Sequence, residues 1–143
     1  MTNEHLMEIL RLHTLWLRGK TGGARANLSG ANLSRANLSG LEVPVIDRID
    51  QKISSAVTAG ALEMSTWHTC ETTHCVAGWA IHLAGDAGAK LEQRVGPSAA
   101  GALIYAASGS HPVPSFYASN EVAMDELRRR AAASAPAESE AGE

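Results

Sequence analysis

The chain has 143 residues, of which 45% are hydrophobic and 19% charged, with a formal net charge of −3. These values fit one ordinary globular domain or two very small ones and exclude an intrinsically disordered chain. So mild a charge gives no electrostatic case for a nucleic-acid or membrane-surface partner, and no stretch approaches the ~18–20 apolar residues of a membrane span.

Residues 4–18 read as an amphipathic helix. Leu6, Ile9, Leu10, His13, Trp16 and Leu17 recur at three- and four-residue spacing, while Glu8, Arg11 and Arg18 fall off that stripe. Asn3 is the expected N-cap, and Gly19, Gly22 and Gly23 end the helix. Trp16, on the apolar stripe, is expected in the core. The opening residues "MTNEHLMEILRLHTLWLRGK" place acids and histidines among the apolar positions, unlike the continuous apolar core of a signal peptide. The expected address is the cytoplasm.

Residues 24–43 contain the units "ANLSG", "ANLSR" and "ANLSG", a repeat of period five. Ala26, Ala31 and Ala36 hold one register, and Leu28, Leu33 and Leu38 the other. Five matches neither the 3.6-residue period of a helix nor the two-residue period of a strand. These units resemble those of pentapeptide-repeat proteins. The resemblance implies a right-handed square β-helix, with the Ala and Leu registers pointing inward. About twenty residues make one coil, and a single coil can neither bury its interior nor cover its backbone edges. The N-terminal helix is therefore expected to cap one edge, and the chain after Pro44 the other.

Residues 45–133 read as a compact α-helical domain. "VIDRIDQKISSAV" sets Ile46, Ile49, Ile53 and Val57 on one face. "CVAGWAIHLAG" is a short apolar helix, with Thr72 or Thr73 as its N-cap and Cys75 in its first turn. "DAGAKLEQRVG" is a third helix, closed by Gly96, and "PSAAGALIYAAS" a fourth, opened by Pro97. Residues 108–119 form a loop, with Phe116 and Tyr117 pinning it, before "NEVAMDELRRRAAA", capped by Asn120. Its acids lie early and Arg128, Arg129 and Arg130 late, as the helix dipole favours, so these arginines read as a solvated terminus. Residues 134–143 are polar and acidic and are expected to be disordered. The expected class is thus mainly α, with a helix and one repeat coil over residues 1–44, the helical domain over 45–133, and the tail.

The stretch "STWHTCETTHCVAGWAIHLAG" holds both cysteines. His68, Cys70, His74 and Cys75 are acceptable zinc ligands, but their spacing lacks the two-thiolate knuckle of structural zinc sites. In the first turn of a helix, the Cys75 thiol should have a lowered pKa, as an activated nucleophile requires. His82 lies about 10 Å along the axis, too far to serve as its base. Against both readings stands ordinary packing, since cysteine is among the most buried residue types. Packing is the favoured reading; a small zinc- or thiol-dependent enzyme centred on these four residues is the alternative, and zinc the cofactor it implies. A Cys70–Cys75 disulfide would need an oxidising setting.

The order of segments resembles small bacterial and phage-type pentapeptide-repeat proteins, a group that brings no catalytic residues to this chain. Other members of the wider family mimic duplex DNA with a long acidic rod. Here the repeat is short and its surroundings basic, with Arg11, Arg18, Lys20, Arg25 and Arg35 against Glu4, Glu8 and Glu42 in the first 45 residues. The expected function is a non-enzymatic protein-interaction module of phage or mobile-element origin. Its partner would be a host protein or complex, such as a defence system, which it inhibits. A second copy of the chain is an alternative partner.

Overall fold

The segment from Pro97 to Ala107 is apolar on nearly every side, as a helix buried within a protein must be, and the helices over 76–83 and 85–95 pack against it. The computed structural model describes residues 2–33, 41–59, 61–65 and 73–134. Expectations placed on Ala36, Leu38, His68, Cys70 and residues 135–143 of the tail lie outside the described residues.

Among the described residues the protein is mainly helical. In chain order the helices are α1 (Asn3–Leu17), α2 (Ile49–Ala59), α3 (Val76–Leu83), α4 (Gly85–Val95), α5 (Pro97–Ala107) and α6 (Asn120–Ala133). Two short strands, β1 (Ala61–Leu62) and β2 (Thr73–His74), pair in parallel, with Ala61 opposite Thr73 and Leu62 opposite His74.

Alanine content sets the packing distance. Ala99, Ala100, Ala102 and Ala106 are buried along α5, which lies against α3 and α4. At Gly101 an added Cβ would sit 2.7 Å from the Ala77 Cβ, so a hydrogen there lets the two helices close. Helix α2 packs against α6 and α3, and α1 against α4. Leu6 and Leu10 of α1, Leu28 and Leu33 of the repeat, and Ile53, Leu103 and Leu127 from the later helices belong to one continuous apolar core.

Helix ends depart from the expected caps for local reasons. Thr2, not Asn3, caps α1 by accepting from the His5 N–H at 3.2 Å. Ser119, not Asn120, caps α6, because the Asn120 side-chain Oδ1 accepts from the Met64 N–H at 2.8 Å. Helix α2 begins at Ile49 rather than Val45, since Arg48 holds φ at +55°, outside the right-handed helical region.

The described repeat residues, 24–33 and 41–43, contain no strand, and the expected β-helix coil is not seen among them. They hydrogen-bond outward instead, through one backbone carbonyl and one side chain. Val113 N–H donates to the Ala31 carbonyl at 3.0 Å, and Phe116 N–H to Ser29 Oγ at 2.9 Å. The loop after α5 supplies partners that neighbouring coils would supply in a stack. The first unit ends in a turn: Ala31 N–H bonds the Leu28 carbonyl at 3.0 Å, and Gly30 takes φ +71°, as the third position of a type II turn requires. Ala26, Leu28 and Leu33 are buried, and Ala31 packs against the core half-buried.

Candidate functional site

The cysteine–histidine junction is built from two short elements. His74 ends β2, deeply buried, with its ring 4.6 Å from that of Trp79 and 4.8 Å from that of His82. Cys75 is not in the first turn of α3; it is the N-cap, its Sγ accepting from the Gly78 N–H at 3.3 Å. That corrects the assignment of the cap to Thr72 or Thr73.

The expected lowering of the Cys75 pKa is also corrected. Burial raises it, outweighing the backbone N–H groups that lower it. A thiol held protonated this way is a packing group and a poor nucleophile. Of the four proposed zinc ligands, His74 and Cys75 are described, and no cluster of three or more metal-ligating side chains occurs among the described residues.

A second set of polar groups, which the sequence reading missed, ties the loop at 108–119 to the helices. The buried Ser110 hydroxyl lies 2.9 and 3.0 Å from the two carboxylate oxygens of buried Asp50 and donates to them. Arg130 donates to Ser110 Oγ at 3.1 Å, to Glu126 at 3.1 Å and to the Pro112 carbonyl. Arg130 is therefore a clamp and not part of a solvated terminus, in contrast to the exposed Arg128 and Arg129. Tyr105 lies fully buried beside this network, and burial pushes its phenol well above the usual range. Phe116 pins the loop through its contact with Tyr105, their rings 6.3 Å apart.

The surface is most distinctive at the end of α1. His13 is buried and joins three segments: its Nδ1 accepts from the Ala26 N–H at 3.0 Å, which leaves Nε2 to donate to the Val95 carbonyl at 2.6 Å. Helix α1, the start of the repeat and the end of α4 thus meet on one ring. Trp16 stacks on it at 5.5 Å but remains 44% exposed, against the expectation that it lies in the core. Helix α1 carries this last turn beyond the core that buries Leu6 and Leu10.

Arg25, two residues before the first repeat Asn, sets its guanidinium 5.7 Å from the Trp16 ring centre and donates to the Tyr117 hydroxyl at 3.4 Å. Tyr117 is itself 52% exposed, so it does not share the buried pinning role of Phe116. Beneath Trp16 and Arg25 lies a cleft of about 210 Å³, reaching Gly96, Pro97 and Ser98 at the start of α5. On the other side of Leu17, a groove of about 560 Å³ between α1 and α4 presents Met7 and Leu41 among Arg11, Arg18 and Arg94. Trp16 and Tyr117 are 101 positions apart, so no local pattern announces their meeting at Arg25.

The family model Pentapeptide repeats (8 copies) matches residues 24–41. That span holds fewer than four five-residue units, short of the eight copies in the family model. No curated protein and no solved structure matches the chain. The chain carries a pentapeptide-repeat segment, embedded in a mainly helical protein.

Proposed function

We propose that this protein is a non-enzymatic interaction module, of phage or mobile-element origin, that binds a host protein complex and inhibits it. One observation carries the module reading: an exposed Trp16, bridged through Arg25 to the exposed Tyr117, at the edge of the repeat. Tryptophan, tyrosine and arginine are the side chains that most often dominate interface energies. Arg18, Lys20 and Arg25 cluster in sequence around this face, which suits an acidic partner surface. The buried, protonated Cys75 favours binding over thiol catalysis. The origin and the host target rest on the resemblance of the segment order.

The test is capture from lysate of a phage-susceptible bacterium, with the wild-type chain, Trp16→Ala, Arg25→Glu and the control Arg129→Ala side by side. A partner held by the wild type and the control but lost with Trp16→Ala and Arg25→Glu supports the reading. Identical capture by all four proteins contradicts it.

A further inference from the structure

The groove between α1 and α4, together with the segment that leaves it, makes a surface of two unlike halves. The groove is apolar at Met7, Leu17 and Leu41 and basic at Arg11, Arg18 and Arg94, and no acidic side chain lines it. Met7 and Leu17 are 49% and 42% exposed. Two of its arginines are held within the chain. Arg11 pairs with Glu8 at 2.7 Å, and Arg94 reaches Glu42 at 3.7 Å and the Leu41 carbonyl at 3.2 Å. Arg18 has no acidic partner among the described residues.

From Leu41, on the groove wall, the chain runs to α2 as a lip. Val45 of that lip is 69% exposed, more than any other large hydrophobic side chain among the described residues. Glu42 and Asp47 flank it, both exposed, and Asp47 has no cationic partner among the described residues. Arg48, next in the chain, lines a separate hollow with Gln51 and Lys52 of α2. Glu42 and Arg48 also hold φ at +50° and +55°, conformations uncommon outside glycine. The lip thus keeps an apolar side chain in water between two disfavoured backbone turns.

We infer that lip and groove are the two halves of a self-complementary dimer interface. Val45 of one copy seats on Met7 and Leu17 of the second, and Asp47 faces Arg18, each contact made twice about a two-fold axis. One half is apolar and acidic, the other apolar and basic, so each supplies the charge that the other lacks. They adjoin at Leu41 on one surface, as a two-fold interface needs, since the same patch must serve both sides. Residues 135–143 of the tail carry acids too, but alanine and proline are their only apolar side chains besides glycine, which leaves them without a branched group for the groove floor. The contact uses none of Trp16, Arg25 and Tyr117, so it stands or falls independently of the function proposed above.

The experiment is sedimentation velocity on the purified full chain, from about 1 μM to several hundred micromolar, the range that brackets a small interface. A monomer–dimer equilibrium that stops at the dimer and weakens as salt is raised is expected. Val45→Asp acts at both halves and should raise the dissociation constant by about 100-fold, tenfold for each buried apolar side chain. Its urea midpoint should match that of the wild type when both are monomeric, because Val45 is exposed in the monomer. Arg18→Glu and Asp47→Arg should each weaken the dimer, and the two substitutions combined in one chain should restore it, a result that damage to the fold does not give. Trp16→Ala should leave it intact. A chain that stays monomeric throughout, its groove left to a different protein or to water, would overturn the inference. So would association that continues past the dimer, that Val45→Asp leaves unchanged, that the combined charge exchange does not restore, or that Trp16→Ala abolishes.

Discussion

Replacing His13 with alanine tests how the repeat is held to the helices. The substitution removes two hydrogen bonds, of 2.6 Å to the Val95 carbonyl and 3.0 Å from the Ala26 N–H. It leaves both backbone groups in the buried environment of Ala26 and Val95. Each buried group without a partner costs about 1–3 kcal/mol, so the pair costs roughly 2–6 kcal/mol. Loss of ring packing against Trp16 adds to this, while water entering from the adjacent cleft lowers it, which brings the expected loss to about 3 kcal/mol. With a urea slope of about 2 kcal/mol per molar, the unfolding midpoint should fall by about 1.5 M. Hydrogen exchange provides the local readout, since the Ala26 amide should lose its protection while the amides of α5 keep theirs up to the new global limit. A midpoint shift below about 0.5 M, with Ala26 still protected, would refute the assignment of His13 as the junction of α1, the repeat and α4.

The remaining predictions address other parts of the molecule. Ser98→Ala removes a buried hydroxyl without a partner and installs the best helix former, so it should stabilise the protein by about 1 kcal/mol; a lower thermal midpoint would contradict that. Arg130→Met strips Asp50 and Ser110 of their cationic partner and should cost about 3 kcal/mol in urea unfolding, whereas a loss below 1 kcal/mol would show the clamp to be idle. Cys75 should resist alkylation in the native protein at pH 8 and react after unfolding, as read by peptide mass spectrometry; rapid native labelling of Cys75 would contradict its buried, raised state. Because that thiol binds its proton more tightly folded than unfolded, its contribution to stability is complete below about pH 8.5 and declines as pH rises through the raised folded value.

Much of the helical layout is legible in the sequence, for identifiable reasons. Pro97 opens α5 as expected, and the three- and four-residue spacing of Leu6, Leu10 and His13 locates the buried face of α1. Caps are less legible where two capable residues adjoin. Whether Ser119 or Asn120 caps α6 depends on Met64, 56 positions from Asn120, which occupies the asparagine.

The five-residue period predicts which repeat residues turn inward but not what they meet. Leu28 and Leu33 join a core that α1 and the later helices complete, and Ser29 and Ala31 bond the loop after α5. Arg130 misleads from sequence because a terminal arginine on a helix usually answers the dipole. Its real partners, Ser110 and through it Asp50, are distant in the chain. Trp16 misleads for a simpler reason: periodicity locates a face, while exposure depends on how far the neighbouring elements extend.

The most direct test of the interaction surface is site-specific photo-crosslinking in the host cell, with a benzophenone amino acid at position 16 and, separately, at position 129 on the exposed side of α6. The account predicts one discrete adduct of the same host protein from position 16, diminished by Arg25→Glu, and no such adduct from position 129. The same adduct from both positions, or none from position 16 while the protein still captures its partner, would contradict it.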